Sequence, residues 1–337
     1  MSLSMADLEA AGLDHLFDTL RTALDDHLAG WSPNLAIVSE PFAGRHLLMD
    51  FVEETLDTQV QRVALDSVAD GELPDLTGQA AVLLDDCHYL YTREIGGFER
   101  LDRFLEEISA SDALFVTSWN RYAWDYLAAV RDVDDVFSTK VAVPSLTAEQ
   151  MADLLTSNYA ETMPDFVQTG EAGRVKTIGF DQREVGLPGG RSIGLTLPEL
   201  NLEYLASRSL SRDDDVENVE AVVFQKIAQL SNGNPGVATA VWERSIRDGE
   251  IAPAYIEEVD MVLDIDDDEA FVLEVLLAKG EMDRSTLDSV LSDIPVHRAL
   301  QSLAEQNVLQ IDEATARIDP EYLYTVDTHL KGRRLIW

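Results

Sequence analysis

Ala80-Ala81-Val82-Leu83-Leu84-Asp85-Asp86-Cys87-His88-Tyr89 is the stretch whose reading decides the fold. An unbroken apolar run that stops at two carboxylates predicts a short strand buried on both faces, because a strand with one wet face would alternate. Such a strand carries its acids to the carboxyl edge of a parallel sheet, where open α/β folds bind ligands. The same residues also read as a buried strand capped by two solvated aspartates. The flanking chain has to separate the two.

Upstream, Asn34 to Val38 is a second apolar strand, followed by Ser39-Glu40-Pro41-Phe42-Ala43-Gly44-Arg45-His46 and a helix from Leu47 to about Asp57. Strand, loop and helix stand where a phosphate-binding loop of pattern G-x-x-x-x-G-K-[ST] would stand. Ser39 takes the place of the first glycine, Gly44 matches the second, Arg45 replaces the lysine and His46 the hydroxyl residue. Backbone N–H groups at a helix start can still cradle a phosphate. A planar guanidinium is no equal substitute for a point charge, and imidazole is a poor Mg²⁺ ligand beside an oxygen. A plain strand-turn-helix accounts for the same residues.

Further strands are predicted at Gln59 to Leu65, Asp112 to Ser118 and Ser138 to Val143. Helices are predicted at 6 to 30, ended by Gly30, at Phe98 to Ile108 and at Arg121 to Val130, each from apolar residues at helical spacing. Asn120 is either a polar group presented at a strand end or the cap of the helix behind it. Thr147 with Gln150 three residues later forms a capping box. Val175 to Phe180 and Ser192 to Leu197, joined through Leu187-Pro188-Gly189-Gly190, predict a β-hairpin. A helix is expected at about Val216 to Ser231. Asp264 to Asp268 reads as a boundary, after which three helices (269–278, 284–291, 294–306) and a hairpin (308–312 with 316–320) give the order of a winged helix.

Taken together, the altered loop at 39–46, the Asp-Asp strand, Thr117-Ser118-Trp119-Asn120, the Pro144-Ser145-Leu146-Thr147 helix entry and Ser231-Asn232-Gly233-Asn234-Pro235-Gly236 resemble AAA+ or STAND-type P-loop ATPases over roughly residues 10 to 245. The resemblance implies an α/β fold: a P-loop NTPase parallel sheet in the additional-strand order, a helical lid with an inserted hairpin, and a C-terminal winged helix. It divides the chain into an ATPase-like core with an N-terminal helix (1–145), a lid with the β insertion near 174–200 (146–263) and a winged-helix domain (264–337). It implies ATP and Mg²⁺ as cofactors, with Gly44, Arg45 and His46 at the nucleotide, Asp85 on the metal, Asp86 orienting water and Asn120 sensing the γ-phosphate. No arginine directly follows Pro235, and Arg244 lies two turns on. The segments 96–108 and 117–127 are also similar to ATPase modules associated with membrane proteins. In that setting Arg121 reads either as a finger reaching into a neighbouring subunit of a homo-oligomer or as an exposed helix arginine.

Composition bounds the rest. The 337 residues are 46% hydrophobic and carry 63 acids against 25 Lys and Arg, a formal net charge of −38, with five lysines. A surface this acidic stays soluble in concentrated salt and resembles proteins of salt-accumulating archaea. The single cysteine, Cys87, rules out an intrachain disulfide and fits a reducing cytoplasm. No leader or 18-residue apolar run is visible, so a link to a membrane is expected to pass through a protein partner. Residues 265–337 hold 7 basic and 15 acidic side chains, a net of −8, which disfavours DNA as the partner of the winged helix because duplex binding needs phosphate neutralisation. Lys331, Arg333 and Arg334 are the one local basic cluster. Two functions fit these residues: an ATP-binding regulatory switch with slow or no hydrolysis that couples nucleotide state to a protein partner, or a nucleotide-independent scaffold or winged-helix regulator on the same fold.

Overall fold

The structure is a computed structural model that describes residues 3–29, 34–56, 60–68, 76, 78–157, 159, 163–168, 178–187, 191–200, 219–258, 263–312 and 314–336. The acidic bends at 70–75 and 211–215, the hairpin turn at 188–190 and Trp337 lie outside them.

Five parallel strands form the central sheet: β1 (Leu35–Ser39), β2 (Val60–Ala64), β3 (Ala81–Asp85), β4 (Leu114–Asn120) and β5 (Thr139–Ala142), in the spatial order β2-β3-β4-β1-β5. Strand β4 is thus inserted between β1 and β3, the additional-strand order of the P-loop NTPase fold. Every residue of β1, β3 and β4 is buried, the reason these segments read as unbroken apolar runs and not as alternating ones. The helices α1 (Met5–Ala10), α2 (Asp14–Leu28), α3 (Arg45–Thr55), α4 (Glu99–Ser109) and α5 (Arg121–Arg131) pack around the sheet. The single N-terminal helix expected over 6–30 is two. Gly12 sits at φ 72°, a left-handed break that an uninterrupted apolar stripe does not reveal.

Beyond the sheet, α6 (Ala148–Ser157) starts at the expected capping box: the Thr147 amide donates to Gln150 Oε1 at 3.1 Å and the Gln150 amide to Thr147 Oγ1 at 3.3 Å. It packs with α7 (Val219–Leu230) and α8 (Pro235–Ser245), around Phe166, Phe224 and Trp242. The short strands β6 (Asp165–Phe166) and β9 (Glu250–Ile251), which the sequence does not announce, pair in parallel. Between them in the chain lies the antiparallel hairpin of β7 (Ile178–Leu187) and β8 (Arg191–Leu200), as expected from the pattern there.

The C-terminal part runs α9 (Asp267–Lys279), β10 (Glu281–Asp283), α10 (Arg284–Val290), α11 (Val296–Glu305), β11 (Leu309–Ile311) and β12 (Thr315–Ile318), with the sheet order β10-β12-β11. The acids at 266–269 are a helix start: Asp266 accepts from the Glu269 amide at 2.9 Å and Glu269 accepts from the Asp266 amide at 2.8 Å. A last helix, α12 (Leu323–Gly332), is absent from the sequence reading. Its Lys331 is tied to Asp327 at 3.0 Å, and Arg333 to Asp267 at 2.7 Å and to the Ile265 carbonyl at 2.6 Å, so two of the three cations in the basic cluster already have partners within the chain. Among the described residues no helix is long and apolar enough to cross a membrane.

Candidate functional site

The strand tips bring the expected residues to one edge. Ser39 at the end of β1 lies in register with Asn120 at the end of β4, and Ala64 with Asp85 at the end of β3. Behind β1, Phe42 (φ 67°) and Gly44 (φ 87°) are both left-handed, and Gly44 is the N-cap of α3. For phenylalanine that backbone is uncommon, which marks the loop as held in shape by its surroundings.

What surrounds the loop is the start of α8. Asn234 caps that helix by accepting from the Gly236 and Val237 amides, and its Nδ2 donates to the Pro41 carbonyl at 2.9 Å. A Cβ on Gly236 would lie 2.1 Å from the Phe42 carbonyl oxygen, so backbone meets backbone here and only glycine fits. Glu40 accepts from Arg121 Nη1 at 2.8 Å and from Asn234 Nδ2 at 3.4 Å. Arg121 is exposed, but its guanidinium is directed at this loop of its own chain. Arg244 pairs with Glu321 at 2.9 Å, away from the loop.

Each carboxylate of the central stretch has an arginine of the same chain. Arg45 donates from Nε (3.0 Å) and Nη2 (2.7 Å) to Asp86 Oδ1. Arg62, at the middle of strand β2, donates from Nε to Asp85 Oδ2 at 2.7 Å and from Nη1 to Asp50 at 2.7 Å and Glu53 at 2.6 Å. Burial pushes the Asp85 carboxyl up from its usual range while Arg62 pulls it down. Burial would lower Arg62, yet its three carboxylates raise it further still. Ser118 Oγ accepts from the Asp86 amide at 2.9 Å and lies 3.5 Å from Asp85 Oδ1. His46 is exposed on the first turn of α3.

Asn120, fully buried, has both ends of its amide engaged: Oδ1 caps α5 by accepting from the Tyr122 amide at 3.0 Å, and Nδ2 donates to the Leu277 carbonyl at 2.8 Å. That second contact belongs to a larger latch. The last carbonyls of a helix have no partner within it, and two of those of α9, from Leu277 and Lys279, find theirs on the sheet edge. His88 Nε2 lies 3.0 Å from the Lys279 carbonyl, and Tyr89 Oη donates to the Glu281 carbonyl just past Gly280. In return Lys279, fully enclosed, donates from Nζ to the His88 carbonyl and, at 2.7 Å, to that of Tyr91. The ammonium also sits 3.6 Å from the Tyr91 ring centroid.

The imidazole of His88 is matched to its neutral form. Nδ1 accepts from the Asn120 backbone N–H at 3.3 Å, which leaves Nε2 to carry the hydrogen given to the Lys279 carbonyl. Burial first, then Arg45 and Lys279, hold its pKa well below the ordinary value of 6.5; Asp86 at 3.9 Å faces it with the opposite sign. A second proton would set N–H against N–H. Between the folded and unfolded pKa values the unfolded chain therefore binds more protons, so stability rises with pH across that window and is lost as pH falls below about 6.5. His329, also lowered by burial, contributes in the same direction. We expect urea midpoints in molar KCl to drop between pH 7.5 and 5.5, and His88→Gln to flatten part of that slope. An identical slope in the variant would remove His88 from the latch.

A Mg²⁺ centre asks for several oxygens in near-octahedral array. Here Asp85 and Asp86 each face a guanidinium, an exposed imidazole stands where a hydroxyl would bind, and the Asn120 amide is turned to α9. Among the described residues no group of three or more His, Cys, Asp or Glu is placed to hold a metal ion. In this arrangement the residues do not fit a Mg²⁺–nucleotide centre. The sequence reading missed Arg62 and Lys279. An arginine at the middle of a short strand and one of five lysines at a helix end were the available signals.

No known protein family matches the chain, and no curated protein matches it. Among solved structures it is similar to the RuvB Holliday junction branch migration motor of Thermotoga maritima (12% identity, 94% of each chain, TM-score 0.39). It is also similar to Cdc6p from Pyrobaculum aerophilum (11% identity, 95% of this chain and 94% of that one, TM-score 0.40). A third is the Orc1 protein of Aeropyrum pernix, solved in complex with DNA (11% identity, 96% and 94%, TM-score 0.36). Likenesses of this size carry no functional weight.

Proposed function

We propose that this chain is a non-hydrolysing regulatory scaffold built on a P-loop ATPase fold, acting through a protein partner. The observation that carries the reading is the pairing of Asp85 with Arg62 and Asp86 with Arg45, at 2.7 Å each. Acids that would hold a metal and orient water are neutralised from within, and the polar group beside them holds α9. The division into core (1–145), lid (146–263) and winged helix (264–337) belongs to this proposal. The core and the C-terminal part are joined by the latch, so a partner that binds one can be felt at the other. The net charge of −8 over 265–337 favours a protein over DNA as that partner. A membrane protein is compatible with the reading, as is a homo-oligomer.

One observation favours a second reading, an ATP-binding switch with slow turnover. The sequence of β1, left-handed Gly44 and α3 keeps the shape of a phosphate loop, and Arg45 stands at its helix start. A nucleotide phosphate would then compete with Asp86 for Arg45, and ligand would shift the chain only by its differential affinity for the opened state.

Calorimetry with ATP and ADP, with and without Mg²⁺, in molar KCl separates the two. The scaffold reading expects no saturable heat and no hydrolysis above that of Asp86→Asn. Stoichiometric binding that is lost in Arg45→Ala would replace it with the switch.

A further inference from the structure

A cavity of about 280 Å³ lies at the seam between the chain after β3 and the C-terminal part, away from the strand-tip pairs. Its walls are mostly apolar, with Phe271 and Val275 of α9 on one side, and polar groups converge at one wall: Tyr91, Arg93, Glu274 and Lys279. The volume is roughly twice the ~150 Å³ cavity that accepts benzene, enough for about ten non-hydrogen atoms. Apolar walls with a few convergent polar groups are what small-molecule sites share.

The polar wall defines the class of ligand. Lys279 has its ammonium turned to two carbonyls and the Tyr91 ring, so it closes the wall without reaching into the space. Arg93 differs. Its guanidinium lies 3.9 Å from the Tyr126 ring centroid, pairs with buried Glu274, and is 29% exposed as a side chain. A guanidinium has five N–H donors in a plane, more than one carboxylate can use. Glu274 occupies part of that fork from the enclosed side, and Glu94 stands exposed at the mouth. Arg93 therefore has N–H donors on this wall beyond those that Glu274 can use. A ligand carboxylate would complete the fork of Arg93, in competition with Glu274. The strongly acidic surface is no barrier in molar salt, where charges are screened within about 3 Å.

We propose that this cavity binds a small apolar carboxylic acid, its chain or ring against Phe271 and Val275 and its carboxylate on Arg93. Because the site is formed jointly by residues 91–94 and α9, an occupant would brace the same seam that the latch closes. The inference does not depend on whether the strand tips bind nucleotide.

Octanoate and 1-octanol, titrated by calorimetry into the full chain in molar KCl, test it. Octanoate is expected to bind saturably with one site. Arg93→Met should weaken it about tenfold, the worth of a charge-assisted hydrogen bond, and leave octanol within about twofold. Glu274→Gln, which removes the competing carboxylate, should tighten octanoate, and Val275→Phe should abolish binding of both. In the unmodified chain octanoate should slow amide exchange at 91–94 and 275–282, a readout that needs no variant to fold. Binding that does not saturate, exchange protection elsewhere, or equal losses for acid and alcohol in Arg93→Met would overturn the proposal.

Discussion

Asn120→Ala should destabilise the protein by about 3 kcal/mol, read as a urea midpoint shift in molar KCl at pH 7.5. Loss of the cap on α5 costs about 1 kcal/mol. Leaving the Leu277 carbonyl buried without its donor costs about 1 to 3 kcal/mol more. The loss should be local in character, with amides of α9 and of residues 87–91 exchanging faster relative to the sheet. Asn120→Asp sharpens the test. It keeps the capping oxygen but turns an acceptor toward the Leu277 carbonyl, so it should be no better than alanine, although a capping argument alone would call it harmless. Were the Asn120 amide held in reserve for a phosphate, both substitutions would leave stability unchanged and alter only the response to nucleotide.

How much of this was legible follows from the range of the interactions involved. Strands β1, β3 and β4 were readable because burial on both faces erases alternation, and the effect is written in consecutive residues. Gly12 was not, since a glycine inside an apolar stripe is equally compatible with a helix running through it. The position of Asp85 and Asp86 at a sheet edge was readable for the same reason as β3. Their condition was not, because Arg45 lies 41 residues from Asp86 and Arg62 lies 23 from Asp85 along the chain. No periodicity records such a pairing. Asn120 shows the limit most plainly: both readings placed it at a strand end before a helix, and capping is what the structure shows for its Oδ1. Its Nδ2, however, answers to a carbonyl 157 residues away. The helix α12 went unread because its stripe is interrupted by Tyr324, Thr325 and Asp327, of which the last two are buried by tertiary packing.

Arg62→Met should cost about 3 kcal/mol, and Asp85→Asn less. Removing one partner of an enclosed ion pair leaves the other charge without compensation, at about 3 to 5 kcal/mol when burial is complete. Arg62 is 25% exposed and Asp85 13% as side chains, so the lower end applies. With the guanidinium gone, nothing opposes the burial that already pushes the Asp85 carboxyl up. The acid should then take up a proton at a higher pH, and the variant should recover stability as pH is lowered toward the carboxylate range. Asp85→Asn keeps the shape, leaves Arg62 two other carboxylates in Asp50 and Glu53, and so costs less. The double variant should be more stable than the sum of the two losses predicts, with a coupling of about 1 to 2 kcal/mol as expected for contacting partners. The same series weighs the two functional readings. If Arg62 merely shields a metal ligand, Arg62→Met should gain saturable Mg²⁺ binding that Asp85→Asn abolishes. If the pair is structural, as the contacts to three carboxylates argue, stability falls and no Mg²⁺ heat appears. An Arg62→Met protein as stable as the original would sink the structural account of Asp85.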